Sequence, residues 1–205
     1  MMTDMGHPRR SAGRAVLRTG AVATLMLWST ACSTGSITDD EEPPPAKSAA
    51  LRVQTVGGAD QLDERTRADL EGDVGDVLSA YVVEAFLGDF PRQEFVRAFE
   101  SFTSGAASSA AVDIDELTAA SVRDATDVRA TELDARLSFL TRSGDVHGGT
   151  ATVHFAFEAT MEDGTTRPLV LDGRFMLDAE RGRWSIFGYD VALDNGDDVD
   201  AESIP

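Results

Sequence analysis

The chain has 205 residues, of which 42% are apolar, so it can bury a core and is not disordered throughout. Acidic residues outnumber basic ones by 36 to 18, and only one of the acids, Asp4, precedes Cys32. The chain after Cys32 is therefore a polyanion. This argues against nucleic acid as a partner, and against binding to anionic lipid headgroups by charge alone.

An export signal is predicted over residues 1–31. Four arginines lie in the first 18 residues, an uncharged and mostly apolar run follows at residues 19–28, and small residues come next. A spanning helix needs about 20 apolar residues, roughly twice the length of this run. A permanent transmembrane helix is therefore the less favoured interpretation.

The only cysteine, Cys32, ends the stretch "STAC", which resembles the end of a bacterial lipoprotein signal. The resemblance implies a diacylglyceryl group on the Cys32 thiol, cleavage after Ala31, and acylation of the new amino terminus, for example with palmitate. Ser29 departs from the family, which usually has an aliphatic residue there. Ser29 and Ala31 also fit an ordinary small-x-small cleavage site, so plain secretion and an uncleaved anchor remain alternatives.

Two or more acyl chains hold a protein stably at a membrane. The predicted location is therefore the extracytoplasmic face of the cell membrane, with secretion as the alternative. Residues 32–50 carry the lipid and form an acidic, proline-rich tether that cannot order itself. Residues 51–193 form the folded domain, and residues 194–205 form an acidic, frayed tail.

Two or three helices are predicted at the start of the domain. Apolar residues over 74–86 recur at the spacing of one helix face, and Gly88 ends this helix. Pro91 stands near the first position of a second helix, where its missing N–H costs nothing. A short third helix is predicted around residues 113–120.

Four strands are predicted after about Val128, where the apolar period changes to two. The stretch "RSGDVHGG" is the first turn between them, so Gly148 and Gly149 are predicted to be turn residues. Gly188 interrupts the last strand, as a bulge or a tight bend would.

These elements predict an α+β fold, with two to three N-terminal helices packed on a curved four-stranded antiparallel sheet. The stretches "DVLSAYVVEAFLGDFPRQEFVRAFESFTSGAA" and "WSIFGYDV" resemble the nuclear-transport-factor-2-like family. They also look like the extracytoplasmic domains of actinobacterial mammalian-cell-entry-associated proteins. The resemblance implies a cone of sheet around the helices. Members of the family include enzymes, binding modules and assembly factors, so the fold does not decide the function.

The sequence carries no dinucleotide, phosphate-loop or G-x-S-x-G motif, and no metal or cofactor is predicted. The candidates for catalysis are His154, Asp172 and Asp190, on polar strand faces. By the family resemblance, an isomerase or dehydratase-like enzyme would hold such a group inside the cone as a general base. The competing interpretation is an outward ladder of salt bridges across the strands. The register favours the ladder, because the inward face contains almost no titratable group.

The predicted function is that of a cell-envelope lipoprotein whose domain is a non-catalytic module that binds or helps to assemble other envelope proteins. Two alternatives remain: a carrier of a small hydrophobic ligand in the cone cavity, and an isomerase or dehydratase-like enzyme. A filled apolar interior would favour the module, and an apolar void would favour the carrier. A buried carboxylate beside His or Tyr would favour the enzyme.

Overall fold

The computed structural model describes residues 47–58, 60, 62–143, 145–180 and 182–196. The predicted export signal, the predicted lipid site Cys32 and most of the predicted tether therefore lie outside the described residues. So does most of the predicted acidic tail.

One strand and a helical segment come first, and four long strands follow. The helical segment consists of α1 (Glu64–Ala85), a 3₁₀ turn (Val96–Ser101), α2 (Ser104–Ala110), α3 (Ile114–Leu117) and a second 3₁₀ turn (Ala119–Val122). The strands are β1 (Arg52–Gly57), β2 (Asp127–Arg142), β3 (Asp145–Thr160), β4 (Thr166–Glu180) and β5 (Arg183–Asp194).

The sheet is mixed and open, with the strands in the order β1-β2-β3-β4-β5. β1 runs parallel to β2, and the other three pairs are antiparallel. The predicted four-stranded antiparallel sheet, and with it the cone-like α+β fold class, is therefore wrong. The prediction missed β1 because a six-residue strand gives little periodic signal. A parallel pair also needs a long crossover, which here is the whole helical segment.

The chain joins the sheet beside the beginning of β2. Ala49 N donates a hydrogen bond to Ala130 O at 2.8 Å, and Ala130 N donates to Ser48 Oγ at 3.2 Å. On the other edge of β1, Thr55 N donates to Glu71 Oε1 at 2.9 Å. A side chain of α1 thus satisfies one of the backbone groups that an edge strand would otherwise expose.

Helix α1 begins where a cap favours it. The Asp63 side chain accepts a hydrogen bond from Thr66 N at 3.0 Å, as an N-cap residue does. Its buried face includes Val74, Leu78 and Tyr81, so the predicted apolar stripe is confirmed.

The predicted second helix from Pro91 is wrong. Residues 91–95 are not helical, and only a 3₁₀ turn follows. In this loop Arg92 donates hydrogen bonds to Leu87 O and Glu94 O, and its guanidinium lies 5.0 Å from the Phe95 ring centroid. These side-chain contacts hold the loop in a non-helical path.

Aromatic rings fill the space between the helices and the sheet. The Tyr81 ring lies 5.1 Å from that of Phe175 and 5.7 Å from that of Phe102. Phe86 stacks on Phe157 at 4.3 Å. All five side chains are buried, and contacts of this kind add to the free energy gained by burial alone.

Of the three glycines with a predicted role in the strand region, two lie in a different kind of structure from the one predicted. Gly148 and Gly149 are not turn residues as predicted, because both lie inside β3 and pair with β2 and β4. The predicted irregularity at Gly188 is confirmed as a bulge: Met176 and Leu177 of β4 face Gly188 and Ile186 of β5, so Phe187 is the extra residue.

Candidate functional site

The solvent-facing side of the sheet carries a ladder of charged side chains. His154 sits in the middle of β3, between Asp134 on β2 and Asp172 on β4. His154 Nδ1 and Asp172 Oδ1 are 2.7 Å apart, and the two side chains are 46% and 60% exposed. The hydrogen bond to Asp172 raises the pKa of the His154 imidazole, and nearby carboxylates add to the effect.

Further ion pairs continue this ladder. Arg174 Nη2 lies 2.8 Å from Asp190 Oδ2, so the third catalytic candidate is paired with an arginine rather than with the histidine. Arg52 contacts Asp134 at 2.5 Å and Glu132 at 2.9 Å, and its hydrogen bonds lower the pKa of the Asp134 carboxyl.

These contacts bring His154 and Asp172 together, but on an exposed surface rather than inside the fold. A general base gains from a water-excluded site, and exposed ion pairs contribute little to stability. The arrangement has the geometry of a cross-strand ladder.

The covered side of the sheet holds a tyrosine–carboxylate pair that the sequence did not reveal. Tyr189 Oη donates a hydrogen bond to Asp113 Oδ2 at 2.6 Å, and both residues are half-buried. Burial, and next this hydrogen bond, raise the pKa of Tyr189 to about 12. The bond joins β5 to the residue that precedes α3, 76 positions away in the chain, so no local pattern could have found it.

An apolar cleft opens on the solvent-facing side, beyond the charged ladder. It has a volume of about 480 Å³ and is lined by segments of β2, β3, β4 and β5. Leu140 on β2 and Phe187 on β5 line it while 68% and 51% exposed, and Met176 lines it from β4, next to β5. The polar residues of its lining are Ser138, His147, Thr150 and Asp178.

Glycines make the room for this cleft. A Cβ at Gly148 would lie 2.6 Å from Leu177 O, and one at Gly149 would lie 2.7 Å from Ser138 O. The neighbouring strands therefore exclude side chains at both positions. Gly148 shares the solvent-facing side with Thr150 and His154, so its missing side chain leaves a hollow on that side. Such close approach of backbones is a typical use of strand glycine.

The bulge in β5 supplies an aromatic wall. Along a regular strand the side chains alternate between faces, and Ile186, one residue earlier, is buried on the covered side. Phe187, the next residue, therefore points to the solvent-facing side and lines the cleft. A Cβ at Gly188 would lie 3.0 Å from Met176 Cε, so this glycine leaves room for the methionine methyl group.

No protein-family model, no curated protein and no solved structure matches the chain. The family resemblances drawn from the sequence therefore stay predictions. Within the described residues, no helix has the length and apolarity to cross a membrane. In the same part of the chain, no group of three or more His, Cys, Asp or Glu could hold a metal ion.

Proposed function

We propose that the protein is a lipid-anchored component of the cell envelope whose folded domain binds another protein through the solvent-facing side of its sheet. The observation that carries this proposal is the apolar cleft, where Leu140 and Phe187 are exposed beside a charged ladder. Exposed apolar surface rimmed by polar groups is typical of an interaction site. Lipid attachment at Cys32 rests on the sequence pattern alone.

The packing of the domain supports a binding role over the two alternatives. Buried aromatic side chains, among them Tyr81, Phe155 and Phe175, occupy the covered side of the sheet, where a carried ligand would need space. The side chains of the pair His154–Asp172 are 46% and 60% exposed, so they lie in water. The half-buried Tyr189–Asp113 pair joins two elements and does not line the cleft.

Site-directed photo-crosslinking in intact cells tests the binding role. A photo-reactive amino acid placed at Leu140 or at Phe187 should give the same protein adduct. The same amino acid at Val112, which is 83% exposed and does not line the cleft, should not give it. An adduct formed equally at all three positions, or at none, would contradict the proposal.

The anchor is tested separately by replacing the thiol. In the wild-type protein, intact mass should show a diacylglyceryl group on Cys32, and the protein should sediment with membranes. Cys32→Ser removes the only nucleophile that the modification can use, so the variant should move to the soluble fraction. A variant that sediments equally well would show that lipid at this position is not the anchor.

A further inference from the structure

The chemistry of the cleft and the charge of the chain together limit what the cleft can hold. We infer that its occupant, if the proposed binding function holds, is a basic segment of a partner protein that inserts one aromatic or long aliphatic side chain over Gly148 and Gly149. The inserted side chain would lie between Leu140 on β2 and the side chains of Met176 and Phe187 on β4 and β5. A neighbouring lysine or arginine would pair with Asp178.

The inserted apolar side chain is inferred from the residues that line the cleft. Met176 is a flexible, polarisable side chain that adapts to irregular partners, and Phe187 offers a ring face or edge. Gly148 forms the floor, so an inserted side chain would meet backbone there rather than a competing side chain. Leu140 closes the side formed by β2.

The charged part follows from Asp178. It is the only lining residue with a formal charge when histidine is neutral, and within the described residues it has no ion pair. It is exposed, and it faces Gly148 across the β3–β4 pair. A carboxylate in this position favours a cation beside the apolar anchor.

The net charge of −18 argues against other occupants. A second copy of the chain would bring like charge against like charge, and anionic lipid would be repelled for the same reason. A basic partner is instead attracted over distances near the Debye length, about 8 Å at physiological salt. A protein segment with an apolar anchor and a neighbouring cation matches both the apolar walls of the cleft and the negative charge around it.

Photo-labelling of the full-length protein in detergent with short peptides tests this inference. The first peptide carries benzoylphenylalanine flanked by lysines, and the second has glutamates in place of the lysines. We expect the lysine peptide to label residues 138–150 or 176–187 at least about threefold more than the glutamate peptide, with the difference shrinking at about 0.5 M salt.

Two matched pairs of variants locate the effect. Asp178→Asn should lower labelling by the lysine peptide about two- to fivefold, the range expected for one exposed ion pair. Asp124→Asn removes the same charge from an exposed position outside the cleft and should leave labelling unchanged. Phe187→Ser should abolish most labelling, whereas Val112→Ser should not. Circular dichroism confirms that each variant is folded.

Three results would overturn the inference. Equal labelling by the two peptides would refute the basic partner, although in-cell crosslinks at Leu140 and Phe187 would still support the proposed function. Labelling that maps elsewhere on the chain would refute the cleft as the docking site. A small molecule that co-purifies with the protein and blocks labelling would show that the occupant is not a protein segment.

Discussion

The hydroxyl group of Tyr81 allows a direct test of how the helices are held in place. The side chain is fully buried, and Oη donates a hydrogen bond to Leu117 O at 2.6 Å, which ties α1 to α3. Tyr81→Phe keeps the ring and its aromatic contacts but removes the donor. A buried polar group left without its partner costs about 1–3 kcal/mol. We therefore expect the free energy of unfolding to fall by about 2 kcal/mol.

Urea unfolding, followed by circular dichroism and by the fluorescence of Trp184, measures this loss. With a slope of about 2 kcal/mol per molar urea, the midpoint should fall by about 1 M. The melting temperature should fall by about 4–8 °C for a domain of this size.

The matched control for this experiment is Tyr189→Phe. It deletes the same atom, but its partner Asp113 is only half-buried, so water can replace the lost hydrogen bond. We expect a loss below about 1 kcal/mol. Equal losses in the two variants, or a loss below about 0.5 kcal/mol for Tyr81→Phe, would refute the assignment of stability to the buried bond.

Three further predictions concern the sheet. Thr55 Oγ1 is buried and has no hydrogen-bond partner among the described residues, so Thr55→Val should leave the free energy of unfolding unchanged or raise it by about 1 kcal/mol in urea melts; a clear loss would show that the hydroxyl is paired. The pKa of His154 is raised in the folded state, so its pairing with Asp172 contributes stability below pH 6.5 and loses that contribution as the pH rises through the folded-state pKa. In an NMR titration, Asp172→Asn should lower the pKa of His154, and the variant should be destabilised more at about pH 5.5 than at about pH 8; an unchanged pKa would contradict the pairing. At Gly173, φ is +142° and a Cβ would lie 2.2 Å from a backbone oxygen of β5, so Gly173→Ala should cost about 3 kcal/mol or more. In the control Gly164→Ala, the new Cβ meets no atom of the described residues within 4 Å and should cost only about 1–2 kcal/mol of left-handed strain, so similar losses in both glycine variants would refute the steric argument.

The sequence predicted the elements whose pattern is long and regular. The stripe that contains Leu78 and Tyr81 spans several turns of helix, and the alternation around Phe155 covers a whole strand. In both, the apolar period is repeated often enough to outweigh local exceptions. β1 has only six residues, and its pairing with β2 depends on residues about 80 positions further along the chain. No local pattern carries that information.

The cleft could not be predicted for a related reason. Adjacent glycines are a strong turn signal, and Gly148 and Gly149 follow a true turn at Ser143, whose φ is +57°. Their role appears only when the register places them between β2 and β4. Phe187 lies at a bulge in β5, and although the sequence suggested an irregularity at Gly188, it could not show that Phe187 would line a cleft with residues of the other three strands.

The hydrogen bond from Ala49 N to Ala130 O fixes where the preceding part of the chain departs from the sheet. From Ala130 to Ser138, at the edge of the cleft, β2 advances eight positions, which at about 3.3 Å per residue is about 26 Å. A tether that begins at Cys32 would thus enter the domain beside one end of β2, whereas the apolar cleft lies toward the other end of the same strand.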